Sequence, residues 1–164
     1  MDDETDRVYS RAPELEDLLG LCRTLNREGV RYLLIGGFAV ILHGFVRTTK
    51  DVDLLVDPSD DNIQAIKRAL SSLPDNAAEE IALSDVREHT VVRVADEIVV
   101  DLMASACGVT YDEAQRHGVE ECRIGDVVIP LPGKRLLIRM KDTVRDADRM
   151  DVRFLETRLQ EETR

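Results

Sequence analysis

The chain has 164 residues with a formal net charge of −11, and 43% of them are hydrophobic and 34% charged. That length suits one domain, 1–164, with a real core, and the balance is that of a soluble globular protein, not a disordered or fibrous one. No run approaches the roughly eighteen apolar residues of a membrane span, and the acidic start MDDETDR is the opposite of a signal peptide, so no membrane association is expected. Cys22, Cys107 and Cys122 are odd in number and lack C-x-x-C spacing, and with His43, His89 and His117 they form no zinc pattern. A reducing, cytoplasmic setting is the expectation. The acidic balance also weighs against unaided binding of a long polyanion, since that affinity is largely phosphate neutralisation.

In chain order, residues 1–11 read as a polar, flexible segment. Pro13 and the acids Glu14, Glu16 and Asp17 then open a helix that runs to about Glu28 and stops at Gly29. Tyr32 to Ile35 is a short apolar strand, Gly36-Gly37 follows, and Phe38 to His43 reads as a helical turn or two closed by Gly44. Asp51 to Val56 alternates and then becomes wholly apolar, which predicts a strand with a buried far end. Asp60 to Leu73 reads as a helix, and 77–85 as a short helix and loop. Residues 90–94 and 97–103 read as two strands joined through Ala95-Asp96. Tyr111 to Glu121 reads as a helix and Cys122 to Leu131 as strand, with a turn at Gly125-Asp126. Two C-terminal helices within 134–160 pack on the body through Met150, Phe154 and Leu155. This order predicts an α+β (α/β) fold in which helices cover a small mixed sheet.

The chemistry concentrates in Tyr32 to Asp57. A strand feeding a helix through two glycines brings bare backbone close to a ligand and suits a phosphate. Period two puts Asp51 and Asp53 on one strand face, where like charges repel unless a cation compensates; hard oxygen donors of this kind suit Mg²⁺ or Mn²⁺. The bland alternative is an acid at the strand entry and another capping a loop. Asp101 is a single acid within Ile98, Val99, Val100, Leu102 and Met103. Burying it unpaired would cost several kcal/mol, so it should face a cation or a polar site. Arg135, Arg139, Lys141 and Arg145 recur at about helical spacing and read as one basic face, or as a solvated face paired with neighbouring aspartates. A calcium loop on Asp51, Asp53 and Asp57 is excluded, because the sixth position is Val56 and no glutamate stands at the twelfth.

These residues resemble the nucleotidyltransferase superfamily of DNA polymerase β type. Its pattern is a hydrophobic strand, Gly-Gly or Gly-Ser, nine to thirteen residues and D-h-[DE]-h; here thirteen residues, Phe38 to Lys50, separate Gly37 from Asp51-Val52-Asp53-Leu54. The segments Gly36-Gly37-Phe38-Ala39, His43-Gly44 and Arg47-Thr48-Thr49-Lys50-Asp51-Val52-Asp53, and the late run Lys141, Arg145, Asp148 and Asp151, resemble small bacterial AbiEii-like and MNT-like members, many of them in toxin–antitoxin or phage-defence pairs. The resemblance implies metal-dependent transfer of NMP from an NTP to an acceptor hydroxyl on a protein, a tRNA or a small molecule. It implies Asp51, Asp53 and Asp101 as catalytic and metal-binding residues, with Mg²⁺ or Mn²⁺ as cofactor. Gly36, Gly37, Arg47, Thr48 and Lys141 would then contact the NTP, and a partner protein or a second copy would complete the assembly. For Arg47 a surface role stays open, and His43 fits a core or helix end better than catalysis. The alternative function is a binding subunit that keeps the fold and has lost turnover.

Overall fold

The computed structural model describes residues 10–164. Most of the expected flexible segment, residues 1–9, lies outside the described residues, whereas Ser10 and Arg11 are tied down. Ser10 Oγ donates to the Asp96 carbonyl at 2.7 Å, and the Arg11 guanidinium donates to both Asp17 oxygens at 2.6 Å. Helix α1 (Leu15–Arg27) follows, its first turn closed by Asp17 accepting from the Glu14 N–H at 2.7 Å, and it buries Leu18, Leu21, Cys22 and Leu25.

The central sheet has four strands in the order β1-β2-β4-β3 (β1 Tyr32–Ile35, β2 Asp51–Val56, β3 Val92–Ala95, β4 Val99–Met103). β1 runs antiparallel to β2, β2 parallel to β4 and β4 antiparallel to β3, so the sheet is mixed, as expected. Helix α2 (Gly36–Leu42) links β1 to β2. Helix α3 (Asp60–Leu70), a 3-10 turn at Ala77–Glu80 and the short α4 (Asp85–Glu88) carry the chain from β2 to β3.

Period two divides the sheet's faces. Tyr32 and Leu34 of β1, Val52, Leu54 and Val56 of β2, and Val100 and Leu102 of β4 join the main core with α1, α3 and the hairpin β7 (Val119–Ile124) with β8 (Val127–Pro132). The opposite face carries Leu33, Ile35 and Leu55, covered by Leu136 and Met140 of α6 (Lys134–Met140) and Ala114 of α5 (Tyr111–Gln115). Asp51, Asp53 and Asp101 share that second face by register. The small β5–β6 hairpin (Ser105–Ala106, Val109–Thr110) and α7 (Asp146–Glu162) complete the described elements. None of the described helices is long and apolar enough to cross a membrane.

Three expectations need correction. The helix expected over 111–121 ends at Gln115, because the chain turns at Gly118, φ +110°, and Val119 to Ile124 pairs with Val127 to Pro132. Met150 is 58% exposed; α7 instead turns Asp151 and Leu155 inward, and Met150 lies about 100° round the helix from Asp151. The basic face from Arg135 to Arg145 breaks up, since α6 stops at Met140 and Lys141 is buried, while Arg139 pairs with Glu113 at 3.3 Å.

Asn62 holds the start of α3 to the strand ends. Its side-chain oxygen accepts from the Arg31 N–H at 2.8 Å, and its amide donates to the carbonyls of Arg31 at 3.0 Å and Asp57 at 2.7 Å. The residue is buried, so Asn62→Leu removes three hydrogen bonds to backbone, those of the Arg31 N–H and of the Arg31 and Asp57 carbonyls, although the Arg31 carbonyl keeps the Asp57 N–H at 3.3 Å. Urea unfolding should show a loss of about 2–3 kcal/mol. A loss below about 0.5 kcal/mol, the size of an ordinary surface change, would mean that the clamp contributes nothing.

Candidate active site

The parallel pairing of β2 with β4 sets Asp53 opposite Asp101, and Asp51 stands two residues earlier on the same face of β2. Asp51, Asp53 and Asp101 each bring an oxygen within 4.8 Å of the others. Asp101 is 4% exposed and the other two are half-buried. Residues 48 apart in sequence thus form one cluster of three hard oxygen donors, the donor chemistry that suits Mg²⁺ or Mn²⁺. Asp85, Glu88 and His89 also approach one another this closely, but on an exposed turn where Asp85 already accepts from the Ala82 N–H at 2.8 Å.

Arg93 completes the row and was missed in the sequence. Its Nε and Nη2 donate to the two oxygens of Asp101 at 2.9 and 3.0 Å, and Nη2 is 3.5 Å from Asp51. This is the cation that the apolar setting of Asp101 called for. The signal was the hairpin register: a two-residue connection at Ala95-Asp96 would pair Thr90 with Asp101. The observed connection takes three residues, Asp96 to Ile98, and pairs Arg93 with it.

The two glycines differ. Gly36 sits at φ +69°, and a Cβ there would fall 2.0 Å from Asp53 Oδ2, so the backbone of the β1–α2 turn lies against the carboxylate. Gly37 needs no left-handed backbone; a Cβ there would meet Thr49 Oγ1 at 2.6 Å and Thr49 Cβ at 2.8 Å. Thr49, not Thr48, therefore borders the turn, and Thr48 is exposed. His43 is a helix-end residue whose Nε2 lies 2.9 Å from the Pro132 carbonyl.

Arg47 and Lys141 are brought together by a residue with no assigned role. Asp151, 1% exposed, accepts from Arg47 Nη1 at 2.6 Å and pairs with Lys141 Nζ at 2.9 Å. Lys141 also reaches Asp148 at 3.4 Å, which accepts from Thr143 Oγ1 at 2.6 Å. Phe45 stacks on Phe154 with centroids 4.6 Å apart, fixing the loop before β2 to α7. An open groove of about 670 Å³ between α6 and α7, lined by Lys141, Thr143, Val144, Arg149, Arg153 and Glu156 among others, contains none of the three aspartates and meets this network at Lys141.

Burial, then the charges of Asp101 and Asp51, push the Asp53 carboxyl up to about 7, against the opposing pull of Lys141 and Arg145. The folded chain therefore holds this proton more tightly than the unfolded chain. The associated stability is complete below the ordinary aspartate range near pH 4 and is lost as pH rises through about 7. The metal-free protein should melt at a lower temperature at about pH 8 than at about pH 5.5, and Asp53→Asn should flatten that slope while raising the value at the higher pH. A slope unchanged by Asp53→Asn, followed by calorimetry, would assign it elsewhere.

The glycines carry a second expectation. Gly36→Ala combines a left-handed backbone with a collision against Asp53 and should destabilise by about 1–3 kcal/mol. At Gly37 serine and valine alike meet Thr49, so Gly37→Ser should itself lose stability, and part of that loss should return when Thr49→Gly is added. Thermal melts of the single and double variants decide this; no recovery would mean that Thr49 is not the obstacle.

No protein-family model matches the sequence, and no curated protein matches it. Solved structures do. The lincomycin-bound lincosamide antibiotic adenylyltransferase LnuA superposes with a TM-score of 0.61 at 17% identity, covering 90% of this chain and 98% of that one. The putative nucleotidyltransferase TM1012 from Thermotoga maritima superposes with a TM-score of 0.53 at 14% identity, covering 90% of this chain and 92% of that one. Identities this low speak for the fold alone. The chain has the mixed α+β fold of nucleotidyltransferases.

Proposed function

We propose that the protein is a metal-dependent nucleotidyltransferase that moves NMP from an NTP to an acceptor hydroxyl and releases pyrophosphate. The observation that carries this reading is the convergence of Asp51, Asp53 and Asp101 on one sheet face, beside a turn whose Gly36 has no room for a side chain. Asp51, Asp53 and Asp101 would hold Mg²⁺ or Mn²⁺, which when bound supplies neutralisation of charge on the triphosphate and on the departing pyrophosphate. Asp101 keeps lone pairs beyond those used by Arg93 and would share the metal or take the acceptor proton.

Gly36 and Gly37 offer backbone N–H groups to the β- and γ-phosphates, and Arg47 and Lys141 add positive charge behind them. Thr48 has a weaker claim than Thr49, which borders Gly37. The acceptor is a protein, a tRNA or a small molecule. The sequence resemblance to AbiEii-like and MNT-like proteins favours a place in a toxin–antitoxin or phage-defence pair. Retention of all three acids speaks against a binding subunit without turnover, since without catalysis they only repel one another.

The test is incubation of the chain with each α-labelled NTP, Mg²⁺ or Mn²⁺ and a cell lysate, followed by separation of protein, RNA and small molecules. Label should enter one fraction and should disappear with Asp53→Asn, whose circular dichroism stays native. Transfer undiminished in the folded Asp53→Asn chain would defeat the assignment.

A further inference from the structure

The residue in the cluster that the proposed reaction leaves unused is Arg93. β2, β4 and β3 place Asp53, Asp101 and Arg93 in one row, so the guanidinium reaches the acids from the neighbouring strand. It grips both Asp101 oxygens, at 2.9 and 3.0 Å, and approaches Asp51 at 3.5 Å. Its side chain is only 19% exposed, so solvent screens these contacts weakly. A fork-shaped cation with two parallel bonds fixes the plane of a carboxylate as a lysine point charge cannot.

We propose that Arg93 is a positioning residue of the carboxylate site: it acts as a resident counter-ion that holds Asp101 beside Asp51 and Asp53, and a divalent cation must bind against its charge. The inference rests on the metal-site reading above and adds a specific consequence. Arg93 stabilises the metal-free cluster and at the same time weakens its affinity for the ion, because a positive charge this close to the ligands repels a second one. The chain is thereby held in an assembled state that does not depend on a metal for its folding.

The experiment uses the full chain as wild type, Arg93→Gln and Arg93→Lys, with Asp53→Asn as the control for the site. Melting temperature is read without and with saturating Mn²⁺, and Mn²⁺ affinity is read by calorimetry. Arg93→Gln should lower the metal-free melting temperature, Mn²⁺ should restore most of the difference, and Mn²⁺ should bind roughly tenfold more tightly than to wild type, the direction that Coulomb's law requires. Arg93→Lys keeps the charge and loses the fork; its Mn²⁺ affinity should stay near wild type while part of the metal-free stability is lost.

Equal or weaker Mn²⁺ binding by Arg93→Gln overturns the inference, leaving the metal site intact if Asp53→Asn still abolishes binding. A stability loss that Mn²⁺ does not repair makes Arg93 an ordinary strut of the sheet edge and overturns it too. Binding by neither wild type nor Arg93→Gln overturns the metal-site reading itself and this inference with it.

Discussion

Three carboxylates whose oxygens lie within 4.8 Å of one another repel, and the arrangement around them is what lets the fold carry them. Arg93 neutralises the Asp101 end directly. Lys141 and Arg145 lower the Asp53 carboxyl from further off, without cancelling the effects of burial and like charge. Lys141 is itself buried, and the carboxylates of Asp151 and Asp148 face it at 2.9 and 3.4 Å. The acid cluster thus reaches, through one lysine, to the last helix.

That last helix is docked as much by charge as by apolar contact. α7 turns inward the carboxylate of Asp151 beside Leu155, and the loop ahead of β2 meets it through Arg47 and through the Phe45–Phe154 stack. Breaking one partner of such a buried pair leaves the other uncompensated, which typically costs more than the pair contributes relative to an apolar replacement. A helix held this way is specified in register: one residue of slippage would put Asp151 into solvent and Met150 or Val152 against Arg47.

Much of the fold was legible because period two and period 3.6 were strong. Tyr32 to Ile35 and Asp51 to Val56 carry enough branched and leucine residues, with glycine or proline beside them, to fix type and limits closely, while the helix read over Asp60 to Leu73 keeps its type and start and ends at Leu70. The placement of Asp101 beside Asp53 was legible only through a resemblance, since no local signal says that β2 and β4 are parallel neighbours. Arg93 was hidden by the hairpin register, because moving the connection from Ala95-Asp96 to Asp96–Ile98 lengthens it by one residue and displaces it along the chain, which shifts the partner of Asp101 by three residues, from Thr90 to Arg93. Only the first half of the strand Val119 to Ile124 escaped the sequence: Val119, Glu120 and Glu121 read as the end of a helix while Cys122 onward read as strand, and only their pairing with Pro132, Leu131 and Pro130 decides between the two.

The two cations expected at the triphosphate illustrate how a structural role and a ligand role can share one side chain. Arg47 and Lys141 together face Asp151 and Asp148, so their charges balance within the protein, and neither could swing wholly toward a ligand without stranding a buried carboxylate. The guanidinium, however, has five N–H donors in a fixed fork. Nη1 is spent on Asp151 and Nε on the Thr48 carbonyl at 3.1 Å, while Nη2 lies 3.5 Å from the point where a Gly37 side chain would begin. The contact with Asp151 therefore aims the remaining edge of Arg47 at the glycine turn. An anion arriving at that turn would meet a donor already oriented, and the ion pair with α7 would be the means of its preorganisation, not a competitor for it.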